Sequence, residues 1–222
     1  MAEQPYRGTP DDRVYTGENI DVTYSLKRCI HAKECILGAP NVFDVDKRPW
    51  IQPDGDEADK LAEVILRCPS GALHFTRKDD GEQESIPDEN RVILWQDGPY
   101  QVTADMVING EGVAIEQETR VTLCRCGASE HKPFCDNSHK KIDFTTEDME
   151  AKKDIVQDEV GGKLTITAHH AGPLELAGNF RIEDAEGTTL HAGTKTFLCR
   201  CGASSSKPFC DGTHNTIGFE AE

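Results

Sequence analysis

Aromatic residues make up only 6% of the 222 positions, and hydrophobic residues 36%. That is a lean core for the length. It fits several small domains better than one large one, because small domains bury a smaller fraction of their surface. Domains of that size commonly need staples, metal among them. Positive charge is also scarce: 24 Lys and Arg stand against 40 Asp and Glu, a net charge of −16. So anionic a chain does not track a phosphate backbone, where Lys and Arg must displace counterions. It also gains nothing at an anionic membrane face. Neither nucleic acid nor membrane is therefore expected as a partner, whereas a redox partner protein with a basic surface is compatible and would be drawn in at long range. No stretch approaches the ~18 apolar residues that span a bilayer. The opening residues MAEQPYRGTPDDRVYTGEN lack a basic segment followed by an apolar run, and a cytoplasmic protein is the expectation. No Gly-rich nucleotide loop, nucleophile elbow or paired-carboxylate pattern stands out, GEGVA at 110–114 being too short, so a non-enzymatic role is expected.

What the chain does have is cysteine. There are nine, an odd number, so they cannot all pair as disulfides. They fall into three groups: Cys29, Cys35 and Cys68; Cys124, Cys126 and Cys135; Cys199, Cys201 and Cys210. Without a secretion signal, such clustering points to metal or catalysis.

The second and third groups belong to an internal repeat. CRCGASEHKPFCDNSH at 124–139 returns as CRCGASSSKPFCDGTH at 199–214, identical at twelve of sixteen positions. Upstream, GPYQVTADMVI at 98–108 is echoed by GPLELAGNFRI at 172–182, so whole domains are duplicated. Strand-like runs flank each copy: 91–95, 100–108 and 120–124 in the first, 163–168, 174–182 and 195–199 in the second. Small antiparallel β modules with one short helix each are expected. In the first 80 residues, 21–26 and 72–76 read as strands. DEADKLAEVILRC at 56–68 reads as an amphipathic helix, with Leu61, Val64, Ile65 and Cys68 on one face. The polar, acidic stretch 78–90 is read as one domain boundary and 147–162 as containing another. The expected division is 18–80, 88–148 and 155–222.

Each repeat supplies Cys-x-Cys, a cysteine nine residues later, and a histidine four beyond that: Cys124, Cys126, Cys135 and His139; Cys199, Cys201, Cys210 and His214. Of eight histidines only His139 and His214 correspond under the repeat; His131 aligns with Ser206 and His191 with Glu116. Three thiolates and an imidazole suit zinc or iron–sulfur. A Cys-x-Cys pair is tight for one tetrahedral zinc. Two irons relax that demand, Cys124 and Cys126 on one, Cys135 and His139 on the other, and the imidazole would raise the potential. Asp136 and Asp211 sit where an N-cap would start a short helix. Gly212 and Asn137 suit a left-handed turn, Pro133 and Pro208 stiffen the loop, and Phe134 and Phe209 shield a cluster or fill a core. Arg125, Arg200, Lys132 and Lys207 lie beside ligands, either raising a potential or simply solvated.

These segments resemble the CDGSH iron–sulfur family, Cys-x-Cys-x2-[Ser/Thr]-x3-Pro-x-Cys-Asp-Gly-[Ser/Ala/Thr]-His. Cys199 to His214 match throughout, and Cys124 to His139 match except for Asn137 at the glycine. The resemblance covers roughly 90–222. It implies one [2Fe–2S] cluster per motif on a mitoNEET-like β fold, and an internal pseudo-dimer within a monomeric chain, since single-motif members pair as homodimers.

CIHAKEC at 29–35, VFD at 42–44, RPWI at 48–51 and RCPSGAL at 67–73 resemble the divergent 4Fe–4S mono-cluster ferredoxin domain over about 20–77. The usual loop is Cys-x2-Cys-x2-Cys, and its central position here is Ala32. With Cys29, Cys35 and Cys68 alone, either a [3Fe–4S] cluster forms or another group holds a fourth iron; His31, one residue off register, is the nearest candidate. Trp50, Trp95, Phe43 and Phe75 read as core.

The expected architecture is thus α+β: a small ferredoxin-like domain followed by two mostly-β CDGSH modules. The expected function is electron transfer by two Cys3His [2Fe–2S] clusters and one [3Fe–4S] or [4Fe–4S] cluster. A redox- or pH-responsive cluster donor or sensor is the alternative, and a zinc-stabilised interaction module a third reading.

Overall fold

The computed structural model describes residues 11–110, 112–146 and 160–221. Alternating apolar positions in the first segment build a three-stranded antiparallel sheet from β1 (Arg13–Tyr15), β2 (Ile20–Tyr24) and β3 (Leu73–Arg77), ordered β1-β2-β3. In β2 the burial alternates strictly, Ile20, Val22 and Tyr24 facing inward, as a half-buried strand requires. Between β2 and β3 lie a single helical turn, α1 (Glu34–Gly38), and α2 (Ala58–Leu66). The periodicity at 56–68 placed α2 well. Its Leu61, Val64 and Ile65 pack with Val22, Phe43, Ile51, Leu73 and Phe75. No pattern announced α1, which buries no side chain.

The two repeats build one six-stranded sheet: β4 (Arg91–Leu94), β5 (Tyr100–Gly110), β6 (Val113–Leu123), β7 (Lys163–Ala168), β8 (Leu174–Glu183) and β9 (Thr189–Leu198). Within each copy the pairing is antiparallel, β4–β5–β6 and β7–β8–β9. Between copies it is parallel: β4 runs beside β8, Arg91 opposite Arg181, and β5 beside β7, Ile108 opposite Ile166. The two antiparallel modules expected from the sequence are thus joined through parallel pairs. A strand such as β7, buried at Leu164, Ile166 and Ala168, is shared between copies. One apolar core draws on both, from Val92 and Tyr100 to Phe180 and Leu198. The short helix expected in each copy is a single 3₁₀ turn, Ser138–Lys141 and Thr213–Asn215.

The stretch 78–90 is less loose than its composition suggests. Glu84 is 4% exposed, and Asn90 is fully buried. The Asn90 side-chain amide donates to the Gly162 and Asn179 carbonyls, and its oxygen accepts the Asp105 amide. The second boundary falls largely at 147–159, outside the described residues. Among the described residues no helix is long and apolar enough to cross a membrane.

Candidate metal centres

The first three cysteines face a common space. Cys29 follows the turn after β2, Cys35 sits in α1 and Cys68 ends the turn after α2, and all three line one cavity of about 220 Å³. Its other walls include Tyr24, Ile30, Ile36, Val45, Trp50 and Leu73. In so apolar a setting burial pushes the Cys29 thiol up, and Cys35 up to about 11. Three thiolates in such a space would repel one another unless cationic iron compensated them, because a buried charge must be paired. The donor set therefore fits a metal cluster. His31, in a left-handed conformation, also lines the cavity, its Nδ1 3.9 Å from the Cys29 sulfur. Ala32 lies in the same wall. Two outer groups carried no signal in the sequence: Tyr24 hydrogen-bonds Cys29 and packs edge-on against Trp50 at 4.9 Å, and the Ser70 hydroxyl is 3.6 Å from the Cys68 sulfur. Of the aromatics read as core, Phe43 and Phe75 are buried, Trp50 forms cavity wall, and Trp95 is half-buried, its indole N–H donating to Gln101.

Each repeat presents its cysteines on the same backbone frame. Cys124 and Cys199 leave β6 and β9, their amides donating to the Pro133 and Pro208 carbonyls at 2.8 Å. The Cys135 and Cys210 amides return to Thr122 and Phe197. The Cys124 and Cys126 sulfurs lie 3.9 Å apart, those of Cys199 and Cys201 3.7 Å, and Cys135 sulfur is 3.6 Å from His139 Nδ1. Metal–sulfur bonds of about 2.3 Å and metal–nitrogen bonds of about 2.0–2.1 Å at a tetrahedral angle give edges of about 3.8 and 3.5–3.6 Å. Each pair is therefore spaced as one edge of a tetrahedron. Yet among the described residues no three His, Cys, Asp or Glu side chains converge on one ion. The first motif thus shows two such edges, Cys124–Cys126 and Cys135–His139, and the second shows one, Cys199–Cys201; two edges without a common centre suit two metals more than one. His214 is turned differently: its Nδ1 lies 3.0 Å from the Ala171 carbonyl.

The hydrogen bond from Cys126, with the Ser129 and Gly127 amides, draws Cys124 down to about 6, while Cys126 is pushed up by sharing that proton. Burial raises Cys135 to about 12 and lowers His139, which keeps the imidazole neutral as a ligand must be.

The loop residues take mostly the expected roles. Asn137 and Gly212 are both left-handed, at φ 70° and 86°. Asp136 and Asp211 do cap the turn, but from one position before the N-cap: each accepts an amide two residues on, Ser138 at 2.9 Å and Thr213 at 3.0 Å. Their second oxygens hold the Glu130 and Ser205 amides. Phe134 is buried against the shared core and Phe209 packs partly buried beside it. Arg125 and Arg200 are not solvated. Each is buried, Arg125 donating to Trp95 in the β4–β5 loop and Arg200 to Gly172 and His169 in the β7–β8 loop. Lys132 and Lys207 cap the Ser129 and Ser204 carbonyls.

The two motif loops also meet each other. A Cβ on Gly127 would stand 2.4 Å from the Cys201 carbonyl oxygen, and one on Gly202 2.5 Å from that of Cys126.

Comparison with known proteins agrees with these groupings. Residues 15–78 match the family described as "Divergent 4Fe-4S mono-cluster". Residues 97–140 and 171–215 each match "Iron-binding zinc finger CDGSH type". The chain is 41% identical over 66 residues to the "Uncharacterized protein YjdI" of Escherichia coli strain K12 and to that of strain O157:H7, covering 30% of this chain and 87% of each relative.

Proposed function

Because this chain belongs to the divergent 4Fe-4S mono-cluster family in its first module and carries the CDGSH iron-binding motif twice, we propose that it is an iron–sulfur electron-transfer protein. In this reading Cys29, Cys35 and Cys68 hold a [3Fe–4S] or [4Fe–4S] cluster, with His31, which lines the same cavity, the candidate for the fourth iron of the latter. Cys124, Cys126, Cys135 and His139 hold one [2Fe–2S] cluster, and Cys199, Cys201, Cys210 and His214 the other. Such clusters supply one-electron chemistry at potentials set by ligand type, hydrogen bonding and burial. The chain's own residues do the setting: one imidazole in each motif stands where an all-cysteine site has a thiolate, and the Asn137 and Gly212 amides point at the Cys135 and Cys210 sulfurs at 3.4 Å.

The observation that carries the reading is the doubled tetrahedral edge in the first motif, Cys124–Cys126 and Cys135–His139, without a single-ion centre. The repeats act as an internal pseudo-dimer in a monomer. Supporting this are the reciprocal approaches of Gly127 to Cys201 and Gly202 to Cys126, and the parallel pairs β4–β8 and β5–β7. Domains at 18–80, 88–148 and 155–222, a cytoplasmic setting, no enzymatic activity of its own, and a redox partner protein attracted by the anionic chain complete the proposal. Electron paramagnetic resonance of oxidised and reduced protein tests it. Two axial or rhombic [2Fe–2S] signals on reduction plus one cubane-type signal are expected, and silence in both states contradicts it.

A second reading, donation or sensing of a cluster, is favoured by the second motif, where Cys210 and His214 are only half-buried while Cys135 and His139 are 3% and 7% exposed. Transfer of colour to an apo-acceptor protein on mixing separates donor from carrier.

A further inference from the structure

The two repeats differ at residue 137, where the first departs from the motif's glycine, and at residue 131, and both differences serve one contact. In the first repeat, the Asn137 side-chain amide donates to the Ile30 carbonyl. His131 Nδ1 lies 3.1 Å from the Lys27 carbonyl. The Arg28 guanidinium stands over the Phe134 ring at 5.6 Å. Thus residues 27–30, which lead into and include the first cysteine of the mono-cluster site, are seated on 131–137, the loop that carries Cys135. The second repeat has Ser206 for His131 and Gly212 for Asn137, so neither side chain that reaches across is present there. Its Phe209 is covered by His191 of its own module instead, edge-on at 5.2 Å. The burial follows: Cys135 and His139 are closed off, whereas Cys210 and His214 stay half-open.

We propose that His131 and Asn137 make the first repeat the intramolecular electron partner of the mono-cluster site and leave the second repeat as the outward-facing one. The proposal rests on the iron–sulfur reading above and deepens it by assigning the order of the sites. Asn137 is a positioning residue on this path. Its main-chain amide donates to the Cys135 sulfur at 3.4 Å, and its side chain donates to the carbonyl of Ile30, the residue bonded to Cys29. Two hydrogen bonds and a few covalent bonds therefore join a ligand of one site to a ligand of the next, and electron transfer is faster along such a connected route than across a gap. A transfer moves one electron and no proton and makes or breaks no bond. With both sites loaded, one electron delivered to the mono-cluster site by an external one-electron reductant would pass to the first repeat's site, so that the donor site loses what the acceptor site gains.

The experiment swaps repeat identity. In His131→Ser/Asn137→Gly the first repeat receives the residues of the second; Asn137 is already left-handed, a conformation glycine adopts freely. Ser206→His/Gly212→Asn is the converse control. On the reconstituted, dithionite-reduced full chain, spin–spin broadening between the mono-cluster and [2Fe–2S] signals is recorded, with electron equilibration after photoreduction. The first variant is expected to lose the broadening and equilibrate about tenfold more slowly, the size of effect that outer partners of a metal site commonly have. Its iron and sulfide should stay at wild-type levels and the control should behave as wild type. Unchanged coupling in the first variant, or an equal loss in the control, overturns the proposal. Hydrogen exchange of residues 27–35 gives a readout that needs no cluster: faster exchange in the first variant supports the seat, and unchanged exchange overturns it. A wild-type protein without labile sulfide would instead defeat the underlying functional reading, while the exchange result would still stand.

Discussion

Glu84 lies with its carboxylate 2.9 Å from His74 Nδ1, both side chains almost wholly buried, and so pins a stretch that reads as a polar linker against the first module. Around this pair a buried ionic cluster spans the two cores. His74 also faces Glu118 at 3.2 Å, Glu118 pairs with Arg28, and Arg120 reaches Glu84 at 2.9 Å. Arg120 further donates to the carbonyls of Ile65, Cys68 and Leu73, and Arg28 to those of Ser70 and Arg120. The cluster thereby holds the backbone on both sides of the mono-cluster cavity.

That cluster predicts a pH window. Although burial alone would lower it, the carboxylates of Glu118 and Glu84 raise His74 above its ordinary 6.5, so its contribution is complete below that value and is lost as pH rises through the raised one. Against the opposing effect of burial, His74 and Arg120 draw Glu84 down to about 2 from 4.5, and Arg28 and His74 lower Glu118, so their contributions are complete above 4.5 and fade as pH falls below it. Urea midpoints of the full chain should therefore be highest between about pH 4.5 and 6.5 where this cluster dominates. His74→Gln should flatten the alkaline side of the profile, and an unchanged slope there contradicts the assignment.

Breaking the cluster from one side should be costly. Glu118→Gln leaves Arg28 buried without its counter-charge, and a loss of about 3 kcal/mol is expected from chemical denaturation. A change below about 0.5 kcal/mol, the scale of an ordinary surface substitution, would show that the pair does not support the fold.

The contact between motif loops is testable by adding one methyl group. At Gly127, φ is +81° and the new Cβ would fall 2.4 Å from the Cys201 carbonyl oxygen; at Gly187, φ is +85° with nothing within 4 Å. Gly187→Ala should cost about 1 kcal/mol for the left-handed backbone alone. Gly127→Ala should cost clearly more, because a backbone carbonyl must also yield. Equal shifts in thermal midpoint would mean that the loops do not press on each other.

Proton competition marks the histidines. A ligating imidazole must be neutral, so acid competes with the metal. His139→Cys and His214→Cys should each slow the loss of visible absorbance at low pH, and decay at the wild-type rate in both would remove the histidines from the ligand set.

The repeat made the second and third cysteine groups readable because duplication singles out Cys124, Cys126, Cys135 and His139 with their counterparts. Period-2 and period-3.6 patterns located the strands and α2. What stayed hidden depended on distant parts of the chain. Nothing near Glu84 in the sequence tells that His74 and Arg120 will surround it. The parallel pairing of β4 with β8 follows from two similar copies sharing edges, which no local pattern encodes. Asn137 was visible as a departure from its motif, but its purpose lies in Ile30, 107 positions away.

The most direct test of the central claim is the acid-labile sulfide, iron and zinc content of anaerobically purified protein. Sulfide and iron in comparable amounts, with zinc absent and the solution red-brown, is the predicted result. A colourless protein that carries zinc and no labile sulfide would contradict it.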